Sequence, residues 1–231
     1  MKSYLRFALP AIALMFIFGG VSTLESKAQP GKLGEILRRM DAHNKALTTL
    51  RADITMAEQN IQLGDPPDIK AGTILYARPP GKDALFRIDW KKPAESLSVM
   101  NGKYTIYKPR DETVLTGSAK NATKDTSGDS VLAFLTMSNA ELKANYSAAY
   151  VGEATLSDGT RVVQLQLSPK GKSTYKSAVL WIDVDGMLRQ AKVIKINNET
   201  TLLLTKTEKN LSLKSSDFKI NYPKGTKEIK S

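Results

Sequence analysis

The chain has 231 residues, of which 34 are Lys or Arg and 23 are Asp or Glu, with one histidine and no cysteine. Without cysteine there is no disulfide, no thiolate metal site, no cysteine nucleophile and no lipobox for an amino-terminal lipid anchor. With only His43, a multi-histidine zinc site is excluded, and any Ser-His-Asp triad would have to recruit that one residue.

The chain opens with Lys2 and Arg6 ahead of an apolar run from Phe7 to Phe18, and Ser26-Lys27-Ala28 places small residues before a cut at Gln29. This pattern predicts a secretory signal peptide over 1–28, and the run is shorter than the ~20 residues a spanning helix needs. The mature chain, 29–231, is expected to be one soluble domain carrying 31 basic against 22 acidic residues. Nucleic acid, an anionic membrane surface or an acidic protein would each suit that charge, and export argues against nucleic acid. The lysines between Lys219 and Lys230 read as a solvated tail.

The first mature element is an amphipathic helix of about five turns. Leu33, Ile36, Leu37, Met40, Leu47 and Leu50 form its apolar stripe, with Arg38, Arg39, Asp41 and Lys45 mostly outside. His43 falls within the stripe beside Ile36 and Leu50, which suits a core or boundary histidine bonded to backbone better than a catalytic one.

From Arg51 the apolar period changes to 2 and turn residues break the chain repeatedly, as at Gly64-Asp65-Pro66-Pro67, Arg78-Pro79-Pro80-Gly81 and Ser157-Asp158-Gly159. Asn101-Gly102 and Asp185-Gly186 predict type I′ hairpins. The strands expected between turns are 51–62, 71–78, 83–90, 95–100, 103–108, 112–116, 146–154, 161–168, 177–184, 187–196 and 201–210, in an antiparallel meander. One stretch interrupts it. Residues 117–128 are small and polar, Asp129-Ser130 can cap a short helix over Val131–Leu135, and Ser138-Asn139 a second over Ala140–Tyr146. A flap or lid and an ordinary helix plugging the sheet both fit this pattern.

Several strands are apolar on both faces. In 83–90, Ala84, Phe86, Ile88 and Trp90 oppose Leu85, Arg87 and Asp89; in 177–184, Ala178, Leu180, Ile182 and Val184 oppose Val179, Trp181 and Asp183. A long meander of this kind curls, enclosing a plugged core or a cavity.

The run Gly72-Thr73-Ile74-Leu75-Tyr76-Ala77-Arg78-Pro79, the segment Leu85-Phe86-Arg87-Ile88-Asp89-Trp90, and Leu97-Ser98-Val99-Met100-Asn101-Gly102-Lys103 carry a resemblance in their order and spacing. So do Val179-Leu180-Trp181-Ile182-Asp183 and the ending Phe218-Lys219-Ile220-Asn221-Tyr222-Pro223-Lys224-Gly225-Thr226. Over nearly all of 33–228 the chain resembles the periplasmic outer-membrane lipoprotein carrier family, LolA and its relatives. The fold this implies is α+β, an unclosed (half) antiparallel β-barrel of about eleven strands around an N-terminal helix and short lid helices.

The function it implies is that of a soluble, monomeric periplasmic carrier without catalysis or cofactor. Such a carrier takes acylated lipoproteins from an inner-membrane lipoprotein-releasing ABC transporter, shelters their acyl chains, and passes them to an outer-membrane lipoprotein receptor. Each buried methylene is worth about 0.8 kcal/mol, so an acyl chain in transit needs an apolar host. In the family an arginine before a proline bonds to the lid helices and holds the empty form closed; Arg78-Pro79 matches that motif. The apolar lid would be Val131, Leu132, Phe134 and Leu135, and the cavity lining Phe86, Ile88, Trp90, Leu97, Val99 and Ile106. The absence of cysteine favours the carrier over the lipidated receptor of the same fold. Two other readings share the fold: a regulatory module that senses lipids or lipoproteins, which would usually carry a further carboxyl-terminal domain, and a carrier of free lipid. Asp183 with Asp185, and Asp111 with Glu112, read as solvated turn carboxylates rather than an acid–base or calcium site.

Overall fold

A computed structural model of the chain describes residues 30–119, 134 and 137–230. The proposed signal peptide, the loop 120–128 and the lid residues Val131, Leu132 and Leu135 lie outside the described residues. Helix α1 (Pro30–Ala46) leads into β1 (Thr49–Asn60), β2 (Asp68–Ala77), β3 (Leu85–Lys91), β4 (Ala94–Met100), β5 (Lys103–Lys108) and β6 (Thr113–Ser118). Helix α2 (Asn139–Asn145) precedes β7 (Tyr146–Thr155), β8 (Arg161–Pro169), β9 (Ser177–Asp183), β10 (Leu188–Ile194), β11 (Asn198–Lys209) and β12 (Lys227–Lys230).

All twelve strands form one sheet in the order β12-β6-β5-β4-β3-β2-β1-β11-β10-β9-β8-β7. Among the described residues β12 and β7 have no further strand beside them and do not pair with each other, so the sheet is open. It consists of two meanders rather than one, joined where β1 runs antiparallel to β11 from Leu50↔Lys209 to Asn60↔Asn198. The break falls where the chain leaves the sheet between β6 and β7 to make α2.

α1 ends a turn earlier than its stripe suggests, and Leu50 belongs to β1. Thr48 is the cause: its N–H and hydroxyl both donate to Asn210 Oδ1, at 2.9 and 3.0 Å, and its carbonyl accepts the Arg78 N–H at 2.8 Å. Asn101 and Gly102, with φ of 50° and 71°, have the left-handed backbone of a type I′ hairpin. The Asp185-Gly186 turn is different, since Gly186 has φ 89° while Asp185 stays outside the positive-φ region. Here the Asp183 carboxylate accepts the N–H groups of Asp185 and Met187 at 3.0 and 2.9 Å, so this turn carboxylate is buried and structural instead of solvated. A Cβ on Gly186 would stand 2.3 Å from the Arg39 carbonyl oxygen. The turn is pressed against α1, and only glycine fits.

The carboxyl end is likewise not a solvated tail. Residues Ser215–Phe218 form a 3-10 turn, Phe218 is fully buried against Ala77 and Leu85, and Lys227–Lys230 adds the twelfth strand parallel to β6. Phe218 and Ile220 are apolar anchors within a lysine-rich stretch, and burial of two such side chains, at about 1.5–3 kcal/mol each, outweighs the segment's charge.

Candidate functional site: the inner face and its cover

Residues directly opposed across an antiparallel pair share a face of the sheet. The pairs Tyr76↔Phe86, Phe86↔Val99 and Val99↔Tyr104 make one row, and Ile74↔Ile88, Ile88↔Leu97 and Leu97↔Ile106 the next. Trp90 opposes Gly72 in the same alternation. Phe86, Ile88, Trp90, Leu97, Val99 and Ile106 therefore lie on a single face. It is the face that α1 covers through Ile36, Leu37 and Met40, packed in one core with Ile54, Ile74, Ile88, Leu180 and Leu204. The opposite face of β3 and β4 carries Arg87, Asp89, Ser96 and Ser98 beneath the Phe218 turn.

Phe134 is 4% exposed and belongs to the same core. Its ring lies 5.7 Å from that of Tyr146 and 6.3 Å from that of Tyr175. The two tyrosines stack on each other and their hydroxyls hydrogen-bond. Burial, and then the Tyr146 hydroxyl, push the Tyr175 phenol above its usual range. Beyond Phe134, two side-chain bonds among the described residues tie the chain to α1. Asn139 Nδ2 donates to the Leu37 carbonyl, and Asn44 Nδ2 to the Met137 carbonyl at 3.4 Å. α2 begins in a capping box: the Glu141 N–H donates to Ser138 Oγ at 3.2 Å, and the Glu141 carboxylate accepts from the Ser138 N–H and hydroxyl. Those bonds hold the Glu141 carboxyl below its ordinary value, the backbone N–H contributing most.

Arg78 sits at the rim. Its Nη1 donates to the Asn44 carbonyl in the last turn of α1 at 2.9 Å, and its guanidinium lies 5.8 Å from the centre of the Tyr76 ring. A cation bonded to a helix's last carbonyls complements the helix dipole. Its connection towards α2 runs through Asn44 to Met137.

Between α1, β1, β2 and Phe134 lies a cavity of about 30 Å³, lined by Met40, His43, Leu50, Tyr76, Phe86 and Phe134 among others. That is room for about one water. Two buried polar atoms on this lining, His43 Nε2 and Tyr76 Oη, have no hydrogen-bond partner among the described residues. The backbone bond expected for His43 is thus not made at Nε2. Burial, and then Lys209, lower the His43 pKa, while Asp183 and Asp185 act against the shift. Burial raises that of the Tyr76 phenol, against the pull of the Arg78 guanidinium. An unsatisfied buried polar group typically costs about 1–3 kcal/mol.

A roomier cleft of about 570 Å³ lies outside, between the start of α1 and the rim of β7–β9. Its walls include Lys32, Glu35, Arg39, Glu153 and Asp183, with Lys32 and Glu153 paired at 2.8 Å. Such charged walls do not suit a hydrocarbon guest. Among the described residues no three His, Asp or Glu side chains gather as a metal site requires, and no helix is long and apolar enough to cross a membrane.

Residues 55–221 match the family model described as outer membrane lipoprotein carrier protein LolA. The chain belongs to that family. It is 26% identical over 220 residues to the outer-membrane lipoprotein carrier protein of Pasteurella multocida, covering 94% of this chain and 93% of that protein. The protein of the same name from Histophilus somni is 27% identical over 227 residues, 97% of this chain and 96% of its own length. Among solved structures, an uncharacterized conserved protein from Thermus thermophilus superposes with a TM-score of 0.56 at 15% identity, over 87% of this chain and 99% of its own. LprF from Mycobacterium bovis gives 0.51 at 14% identity, over 81% and 98%. These two show the fold alone.

The family motif points to Arg78, but the cavity-lining residues Tyr76 and His43 were not among the expected site residues. Tyr76 was within reach of the sequence, since it alternates with Gly72 and Ile74 along β2. Tyr146 and Tyr175 were not, because they are 29 residues apart and meet each other and Phe134 only in the folded chain.

Proposed function

We propose that the protein is a periplasmic carrier that takes the acyl chains of lipoproteins onto the inner face of its open sheet, without catalysis. The observation that carries the reading is a row of apolar residues on one face of the sheet, Ile74, Ile88, Leu97 and Ile106, on a chain of the lipoprotein carrier family, with Phe134 packed into the core that this face borders. A 30 Å³ cavity holds no acyl chain, so loading requires the Phe134 side chain to leave the interior. The chain then occupies the space against Phe86, Ile88, Trp90, Leu97, Val99 and Ile106. Arg78, by holding the end of α1 through Asn44, favours the closed form. Val131, Leu132 and Leu135 complete the cover in this reading.

Residues 1–28 direct export, an inner-membrane transporter supplies the cargo, and an outer-membrane receptor accepts it. The transfer needs no chemistry, only an apolar host whose affinity is matched by that of the next site.

Trp90 lies on the inner face and Trp181, opposed to Gln190, on the other. A peptide acylated with dibromostearate, whose bromines quench indole on contact, should therefore quench Trp90 in a Trp181→Phe variant and leave Trp181 bright in a Trp90→Phe variant. Binding without quenching of Trp90 would remove the inner face as the host; no binding at micromolar concentrations would remove the carrier reading.

A further inference from the structure

The cavity beneath Phe134 is apolar on most of its lining, yet two of its lining residues, His43 of α1 and Tyr76 of β2, carry a buried polar atom, Nε2 and Oη. Each is buried and neither makes a well-formed hydrogen bond among the described residues, although the Arg78 guanidinium comes near enough to Tyr76 to pull on its phenol. Native proteins leave few such groups. A mere packing role for either side chain would be met as well by leucine or phenylalanine. At about 30 Å³ the space accommodates one small polar group and no more.

We propose that His43 and Tyr76 form a polar subsite that hydrogen-bonds the neutral carbonyl oxygen at the head of a bound acyl chain, an ester or amide. This rests on the carrier reading and adds the chemical feature of the guest that the site recognises. Tyr76 Oη donates to the carbonyl oxygen, and His43 in its Nε2–H tautomer donates to the second lone pair. The alkyl tail then runs from Phe86 along the rows of Ile88, Leu97 and Val99.

The carbonyl is specified as neutral because the cavity lining holds no cation. Burial favours the uncharged imidazole of His43, and the nearby Arg78 guanidinium, which is not among the lining residues and draws on the Tyr76 phenol, donates to the Asn44 carbonyl. A carboxylate there would be desolvated without a counter-charge. In the empty protein one water can satisfy both groups, and the carbonyl replaces it on loading.

The test compares methyl palmitate with methyl hexadecyl ether, which matches its chain and lacks the carbonyl, and with palmitate, each displacing a fluorescent hydrophobic probe from the purified protein. The wild type should bind the ester about tenfold more tightly than the ether, the order expected for one or two hydrogen bonds to buried groups. Tyr76→Phe, which keeps the ring and its packing, and His43→Leu should each reduce that ratio towards one. With methyl palmitate carrying a 13C carbonyl, the infrared carbonyl band should lie at lower frequency when bound to the wild type and move up in Tyr76→Phe. Equal binding of ester and ether by the wild type would overturn the subsite while leaving the carrier reading intact. So would an unchanged carbonyl band in Tyr76→Phe, and tighter binding of palmitate than of its ester would overturn the neutral carbonyl. Failure of all three to displace the probe would overturn both the subsite and the carrier reading.

Discussion

Two segments cover the sheet from opposite sides, and they are built differently. On the outer face the turn ending in Phe218 is bonded to β3 and β4 through the consecutive carbonyls of Asp217, Phe218 and Lys219. Arg87 Nη1 donates to the Asp217 and Lys219 carbonyls at 3.0 and 2.9 Å, and Ser98 Oγ donates to the Phe218 carbonyl at 2.5 Å. Arg87 is in turn held by Asp89, which also accepts from Ser96. On the inner face Phe134 is nearly as buried, but the cavity beneath it keeps two polar atoms unpaired, and the chain beyond it is tied to α1 through Asn44 and Asn139. The outer cover is anchored to β3 and β4 by hydrogen bonds, whereas the contacts of Phe134 on the inner side, among the described residues, are apolar, and an acyl chain can supply contacts of that kind in its place.

That contrast sets the size of each expected effect. Phe218→Ala leaves a cavity under a fully buried ring and should lower stability by about 3–5 kcal/mol, read as a lower urea midpoint. If the drop is under about 1 kcal/mol, the outer cover is not structural. Arg87→Leu strands two carbonyls and the Asp89 carboxylate, and should cost about 2–3 kcal/mol with no gain in binding of a hydrophobic dye.

Arg78→Leu should cost only about 1 kcal/mol, because the Asn44 carbonyl it frees is at the surface, but it should increase dye and acyl-peptide binding by loosening the closed form. An increase with Arg87→Leu and none with Arg78→Leu would invert the comparison. The smallest effect concerns pH. Since the folded protein holds His43 below the usual histidine value of about 6.5, the unfolded chain takes up the proton first as pH falls. Stability should be unaffected by this group above about pH 6.5 and decline below it until the folded pKa is passed. Lys209, Asp183 and Asp185 face it from β11 and the β9–β10 turn and modulate the shift. His43→Leu should flatten that part of the stability profile; an unchanged slope between pH 7 and pH 5 would show that His43 does not titrate differently on folding.

The strands were legible because their signals are local: alternation and turn residues fixed most boundaries to within a few positions, and Ser138 announced its helix. The joining of β1 to β11 was not, because a ten-residue register between segments some 150 positions apart leaves no mark on either. The carboxyl end was misjudged for a related reason. Its lysines dominate the composition, whereas Phe218 and Ile220 are buried, Phe218 against partners on β2, β3 and β4 that are distant in sequence. Likewise the parity of β3 and β4 groups Phe86, Ile88, Trp90, Leu97 and Val99 from sequence alone, but which of two apolar faces meets α1 depends on where the helix packs. His43 and Tyr76 come together only in three dimensions.

The account turns on Phe134 leaving the interior when cargo enters. Because the chain contains no cysteine, a Phe134→Cys variant has a single thiol, and its alkylation rate reports the exposure of that position. The thiol should react slowly in the empty protein and at least about tenfold faster once a palmitoylated peptide is bound. Bound peptide with an unchanged alkylation rate would contradict the account, because cargo would then be held without the cover coming off.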